Sequence, residues 1–440
     1  MSQPPAYSRR SLLQLLGATA ASAPFLSTRL LAQTTAKPLR HASFGAGGMA
    51  WSDLTAIAGC ANVEIVAICD VDLNRTAEAR AKFPAARIYQ DWRDLLEKES
   101  GNIDSVNVST PDHMHAPIAL ACMEAGKHVY GQKPLAHDLH EVRRMTETAR
   151  KKSVVTQMGI QIHSASEYRT AVRTIQDGTI GKIKEVHSWS AKSWGDTSGL
   201  PDNTDPVPEG FDWDLWLGVC AERPFIGDGY YHPGNWRKRL DFGTGTLGDM
   251  GCHILDPVFK AIGLKFPVSV RSEGPAPNAT NWALDGKVIY TYAATPACAD
   301  NTLRLTWYDG KSSPPAEVIA LLEGTNPPDQ GSIFIGTEGV MALPHVARPL
   351  LFPAEKFKDH EFKNVEGENH WAQFTEASQG KGKTSADFDY AGPLTECILL
   401  GGIASRFPKV ELAWNSPDLK FDSAEANAYV RRDYREPKAR

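Results

Sequence analysis

A chain of 440 residues with 42% hydrophobic and 22% charged residues has globular composition, and its length favours two or three domains or one large split architecture. With 47 basic against 52 acidic residues the formal net charge is −5. No polycationic surface is imposed, and nucleic acid is not an expected partner. The cysteines Cys60, Cys69, Cys122, Cys220, Cys252, Cys298 and Cys397 never occur as CxxC. They suit buried small hydrophobes or free thiols, not a zinc site or a secreted disulfide framework.

At the N-terminus, Ser8-Arg9-Arg10-Ser11-Leu12-Leu13 precedes a mildly apolar, Ala-rich stretch over 15–26 and then a polar segment. The stretch is short for a bilayer span, and the paired arginines followed by leucines resemble a twin-arginine export signal. Residues 1–33 are expected to be a removable signal peptide, with cleavage after Ala23 or Ala32. A periplasmic protein with no membrane attachment after signal removal is the corresponding expectation.

From residue 41 short apolar segments alternate with amphipathic ones, the pattern of a parallel sheet wrapped by crossover helices. Strands are expected at 41–44, 63–69, 87–89, 105–108, 128–130 and 154–158. Helices are expected at 50–59, 74–83, 92–98, 116–125, 139–152 and 165–177. Six strands by residue 160 make a complete dinucleotide-binding domain, set at 34–160. The texture then changes. Alternating segments at 185–190, 268–273, 288–292, 302–307, 318–322 and 332–335 suggest an antiparallel sheet with one covered face. Residues 161–440 are read as an α+β domain for substrate binding and oligomerisation, with a large, open, mostly antiparallel sheet. Within it, 193–246 is a long aperiodic stretch rich in Trp, Pro, Gly and Asp, the kind of segment that carries function.

Gly45-Ala46-Gly47-Gly48-Met49-Ala50 follows the first strand and opens a helix, giving GxGxxA in the required context. Gly45 allows a tight turn, Gly47 lets the backbone approach a pyrophosphate, and Ala50 permits close packing of helix on strand. Gly48 and Met49, at the helix N-terminus, place free N–H groups toward the phosphates. Asp70 closes the second strand, where a carboxylate hydrogen-bonds ribose hydroxyls and repels a 2′-phosphate. NAD is favoured over NADP, although Arg75 is a group that would accommodate that phosphate. The loop after the fourth strand, Ser109-Thr110-Pro111-Asp112-His113-Met114-His115, borders the same crevice. Ser109, Thr110, Pro111, His113 and His115 are candidate cofactor contacts, with surface or capping roles open for both histidines.

Gly131-Gln132-Lys133-Pro134 follows the fifth strand at the same sheet edge, so Gln132 and Lys133 are further candidates. A lysine there can hydrogen-bond a substrate hydroxyl and ease its deprotonation. Downstream, Asp249 and His253 are four apart. If that segment is helical they share one face and address one substrate, as a carboxylate and an imidazole suited to moving a proton. The alternatives are a dipole-capping Asp and a packed His; a metal site lacks a third spaced ligand, and none is expected. The aromatic residues Trp194, Trp213, Trp216, Tyr230, Tyr231 and Trp236 offer faces for a pyranose, or else pack the sheet and subunit interface.

With the turn at Gly45, Lys133-Pro134 and the Asp249/His253 pair in view, the chain from about residue 40 resembles the Gfo/Idh/MocA oxidoreductases, named for glucose-fructose oxidoreductase and inositol dehydrogenase. The resemblance implies a Rossmann domain carrying NAD(P) and an α/β domain binding sugar or polyol. It also implies a homo-oligomer, a dimer or tetramer, formed through the open sheets. It carries the family's Glu-Lys-Pro motif onto Gln132-Lys133-Pro134 and its DxxxH pair onto Asp249 and His253. Lys133 would then orient the reacting hydroxyl, His253 would be the acid/base, and Asp249 would bind substrate. Tyr231, Trp236 and Arg237 are the remaining candidate substrate contacts. Gln132 departs from the usual glutamate; an amide neither carries charge nor accepts a proton there. Three activities follow as expectations: hydride transfer between NAD and a secondary hydroxyl of a sugar, polyol or glycoside; redox-neutral glycoside hydrolysis on tightly bound NAD through a keto intermediate; or noncatalytic sugar or cofactor sensing.

Overall fold

The computed structural model describes residues 37–436; the expected signal peptide at 1–33 lies outside the described residues. The N-terminal sheet comprises β1 (Leu39–Phe44), β2 (Val63–Cys69), β3 (Arg87–Tyr89), β4 (Ser105–Val108), β5 (His128–Gly131) and β6 (Thr156–Met158). All its pairings are parallel, in the order β3-β2-β1-β4-β5-β6. β1 and β4 are fully or almost fully buried, as expected of strands covered by helices on both faces. Strand order reverses between β1 and β4, which opens a crevice at their carboxyl ends. The segments after Phe44 and Val108 therefore meet at one place.

The second sheet has nine strands: β7 (Ile183–Ser190), β8 (Ser269–Ser272), β9 (Lys287–Ala293), β10 (Thr302–Asp309), β11 (Gln330–Gly336), β12 (Val340–Pro344), β13 (Leu350–Phe352), β14 (Glu411–Asn415) and β15 (Lys420–Phe421). Their order is β13-β12-β11-β7-β10-β9-β8-β14-β15, antiparallel except between β7 and β10. In β9 and β14 burial alternates residue by residue, so one face is packed and the other open. Helices Gly245–Ile254 and Phe388–Ala404 pack on the covered face. The fold is a Rossmann domain joined to a mixed, mostly antiparallel sheet domain.

One expected strand is a helix. Residues 318–322 lie in and just beyond Ala316–Ala320, whose N-cap is Pro315. Val318 and Leu322, four apart, are both buried, which is a helical stripe. Five apolar residues are too few to distinguish the two periods.

Candidate active site

The turn after β1 requires its glycines. Gly45 has φ +103°, and a Cβ there would lie 2.6 Å from the Ser109 carbonyl oxygen and 2.8 Å from the Ala50 Cβ. At Gly47 a Cβ would sit 2.5 Å from guanidinium nitrogens of Arg75, which folds over the turn. The following helix, Met49–Ala58, has Gly48 as N-cap, no side-chain cap and no acid in its first turn. Its leading N–H groups are thus available to an anion.

They open on a cleft of about 320 Å³. Gly45, Gly47, Gly48, Met49, Asp70, Arg75, Ser109, Thr110 and Pro111 line one side, and Trp216, His232, Trp236 and Arg237 the other. An uncapped helix start, an arginine over it and a carboxylate at the β2 end fit a dinucleotide. The Asp70 carboxylate accepts the Ala46 N–H at 2.9 Å and the Asp72 N–H at 3.0 Å, tying the turn to β2. Burial pushes the Asp70 pKa up; the two amides act against that.

Four candidate cofactor contacts, His113, His115, Gln132 and Lys133, do not line this cleft. His113 is buried between the Trp216 and Phe242 rings and bonds the Trp216 carbonyl at 2.9 Å; burial, reinforced by Arg432, lowers its pKa to about 3. His115 bridges the Pro134 and Thr110 carbonyls at 2.7 and 2.8 Å, fastening the lysine loop to the cofactor loop. Gln132 turns inward. Its Nε2 donates to Asp53 Oδ2 at 2.8 Å, and its Oε1 accepts the Lys133 N–H at 3.2 Å.

Asp53, which belongs to none of the sequence motifs, is fully buried. It also accepts from the Ser109 hydroxyl at 2.8 Å and the Trp371 indole N–H at 3.0 Å. Burial raises its pKa, and the Trp371, Gln132 and Ser109 hydrogen bonds oppose that rise. These contacts explain the amide at position 132: a glutamate would set a second carboxylate against a buried one. A signal is nevertheless present. Ala50, Asp53, Leu54 and Ile57 form the buried stripe of the first helix, and a carboxylate on an apolar face needs partners.

Asp249 and His253 lie on helix Gly245–Ile254. The Lys133 Nζ donates to Asp249 Oδ1 at 2.9 Å and to its carbonyl oxygen at 2.8 Å. Arg237 Nε also reaches Oδ1, at 3.2 Å; Trp194 Nε1 donates to Oδ2 at 2.8 Å, and Lys192 Nζ stands 3.5 Å from it. Burial alone would raise the Asp249 pKa, but Lys133 and Arg237 outweigh it and hold the carboxyl far below its usual range. His253 goes the other way in charge: burial, then Lys133, keeps its imidazole well below the ordinary pKa, hence neutral. Its ring lies 5.9 Å from that of His345, whose Nδ1 is 2.8 Å from the Tyr168 hydroxyl. His345 and Tyr168 carry no sequence motif; folding alone brings them here.

The aromatic stretch divides. Tyr231 is buried among Trp213, Trp216, Tyr230 and Phe242, with Trp213 and Trp216 stacked at 4.9 Å. It therefore packs the loop and offers no face to substrate. Trp236 and Arg237 line the cleft, the guanidinium lying 4.3 Å from the Trp236 ring centroid and 5.4 Å from that of Trp194. Among the described residues no group of three His, Cys, Asp or Glu side chains is placed to hold a metal ion. No described helix is long and apolar enough to cross a membrane.

Two descriptions of one family match the sequence: an oxidoreductase family, NAD-binding Rossmann fold, over residues 39–160, and its C-terminal alpha/beta domain over 178–300. Together they span more than half of the chain. It belongs to the Gfo/Idh/MocA oxidoreductase family. The chain is 26% identical over 190 residues to levoglucosan dehydrogenase of Pseudarthrobacter phenanthrenivorans, covering 43% of this chain and 40% of that protein. It is 32% identical over 118 residues to myo-inositol 2-dehydrogenase of Thermotoga maritima, covering 27% and 35% respectively. A glycosyl hydrolase family 109 protein of Shewanella is 28% identical over 154 residues, covering 33% of each. The chain thus matches less than half the length of each of these relatives. The solved WlbA dehydrogenase from Bordetella pertussis, in complex with NADH and UDP-GlcNAcA, shares the fold with TM-score 0.61 at 17% identity, covering 86% of this chain and 99% of that one.

Proposed function

We propose that this protein transfers hydride between NAD and a secondary hydroxyl of a sugar, polyol or glycoside. The observation that carries this reading is the convergence of Lys133, Asp249 and a neutral His253 beside a cleft built around the glycine turn. The dehydrogenases among the relatives support it. NAD, held by Gly45, Gly47, Gly48, Met49, Asp70 and Arg75, would supply the hydride acceptor and donor. His253, uncharged at neutral pH, is ready to take the hydroxyl proton. Lys133 donates a hydrogen bond to the oxygen as negative charge develops on it, and Asp249 fixes that ammonium group. Asp70 favours NAD over NADP.

A second reading, redox-neutral glycoside hydrolysis, is favoured by how the loop at 193–246 closes over the cofactor cleft. His232 Nε2 bonds Asp72 at 3.1 Å, Asn74 Nδ2 donates to the Glu209 carbonyl at 2.8 Å, and the Leu73 N–H to the Gly210 carbonyl at 2.8 Å. Such ties suit a retained NAD. In that cycle, oxidation of the hydroxyl two carbons from the glycosidic carbon would acidify the C–H between them. Loss of that proton would expel the aglycone by β-elimination, water would add to the resulting enone, and the hydride held on the cofactor would return to the ketone. The glycosyl hydrolase among the relatives supports the same chemistry. Twin-arginine export to the periplasm and assembly into a dimer or tetramer belong to this proposal, since folded export would carry NAD along.

Purified protein given aryl glycosides without added cofactor discriminates the readings. Release of the phenol is the hydrolase outcome; sugar-dependent NADH absorbance without release is the dehydrogenase outcome. Sugar binding with neither product would sink both and leave a sensor.

A further inference from the structure

The charge around Asp249 exceeds what a neutral sugar requires. Lys133, Lys192 and Arg237 all address this one carboxylate, at 2.9, 3.5 and 3.2 Å. Trp194 adds a fourth donor. The next carboxylate in range, Asp112, is buried and engaged by the Thr244 hydroxyl at 2.6 Å, and burial raises its pKa. His253 and His345 are both held neutral, so neither adds nor cancels charge. Three cations thus share a single strongly ionised acid in a half-enclosed site.

The cations are not equivalent. Lys133 is 12% exposed and spends its ammonium on the Asp249 carbonyl and carboxylate. Lys192 is 47% exposed, and Asp249 Oδ2 is its one ion-pair partner among the described residues. Arg237 is 26% exposed; its Nε faces Asp249 and its Nη1 the Gly234 carbonyl at 3.4 Å, leaving Nη2 without a protein acceptor among the described residues. Lys192 and Arg237 therefore present donors beside different oxygens of Asp249 to whatever occupies the site. With one carboxylate shared among three cations the site carries net positive charge, which favours a ligand that supplies counter-charge. A carboxylate meets a guanidinium and an ammonium with charge-assisted hydrogen bonds.

We infer that the substrate is an acidic sugar, a uronic or aldonic acid or a glycoside of one, its carboxylate held by Lys192 and Arg237 while Lys133 and His253 serve the hydroxyl. This rests on the proposed function for the reacting end, but it concerns the other end of the substrate. Calorimetric binding and turnover are to be measured for D-glucuronate, D-galacturonate, D-gluconate and methyl glucuronide against D-glucose, D-galactose, sorbitol and methyl glucoside. At least one acid is expected to bind about 30-fold more tightly than its neutral counterpart, as charged hydrogen bonds warrant. In Lys192→Met that preference should fall toward unity because KM of the acid rises by much more than KM of its neutral counterpart. Equal binding of acid and neutral partners, or binding of no acid in the panel, overturns the inference. If acids bind selectively but no substrate shows hydride transfer or cleavage, the proposed function fails and this assignment stands. Turnover of neutral sugars with no gain from the carboxylate gives the reverse result.

Discussion

Two neighbouring residues, Gln132 and Lys133, each face an aspartate, and the two aspartates live in opposite worlds. Asp53 is sealed from water and held by neutral donors only: an amide, a hydroxyl and an indole. Asp249 is held by two ammonium groups, a guanidinium and an indole. Burial wins at Asp53 and raises its pKa; cations win at Asp249 and depress it. The lesson is a division of labour across one turn of chain. The inner side fixes geometry with neutral donors, and the outer side concentrates charge where the proposed function places the substrate. In the proposed reaction that arrangement would spare the Lys133 ammonium a competing carboxylate at position 132 and leave its charge for the reacting oxygen.

The comparison breaks most severely if the outer side is removed. Lys133→Met should lower kcat/KM by about 10³-fold, since it deletes the charged hydrogen bond to the oxygen on which negative charge develops. Retention of NAD, read by absorbance of the purified variant, should be unchanged. Activity within about tenfold of wild type would take Lys133 out of the mechanism, because a donor aimed at a developing oxyanion contributes more than that.

A smaller effect is expected on the inner side, and it is one of stability. Gln132→Glu places a second carboxylate against Asp53 and should cost about 3 kcal/mol, seen as a lowered midpoint of denaturant unfolding. Adding Asp53→Asn should recover at least about 1 kcal/mol of that loss, because the new amide can donate to the introduced carboxylate. Strict additivity of the two changes would show that these side chains do not communicate. The Ser109 contact predicts, in addition, that Gln132→Glu weakens cofactor retention more than it alters the substrate KM.

These two corners also differ in how far the sequence disclosed them. β2, β3, β4 and the helix Leu139–Lys152 fall at the expected bounds because local periodicity and sharp breakers define them. The glycine turn is readable for the same reason: its chemistry is contained in six consecutive residues. β12, β13, β14 and β15 are not anticipated, being short strands whose existence depends on distant partners such as β8 and β11. The helix Phe388–Ala404 is apolar nearly all round, so it gives no amphipathic signal even though it packs under the site. Trp371 and His345 reach their places through long returns of the chain. The Trp371 bond to Asp53 spans 318 positions, and the His345 bond to Tyr168 spans 177. The aromatic loop misleads in a different way. Composition reveals that Tyr231 and Trp216 matter, but only packing decides that Tyr231 lies wholly inside a small aromatic core while Trp216 and Trp236, members of that same core, also line the cleft with Arg237.

The mildest test concerns pH. His253 is held below its ordinary pKa of 6.5 by burial and by Lys133, so its proton-accepting neutral form persists as the solution is acidified. For a base whose pKa is depressed, activity is present above that pKa and is lost only as pH falls through it. The acid limb of kcat/KM should therefore lie below pH 6.5 in the wild type. Replacing the inner Gln132 should leave that limb where it is. Replacing Asp249 by Asn removes the negative charge that favours protonated His253, so the limb should move to still lower pH, by a fraction of a unit to about one unit. A limb that stays in place, or one that moves upward, would mean that Asp249 does not act on His253 through charge. The lowered pKa of His253 would then rest on burial and Lys133 without an opposing contribution from Asp249.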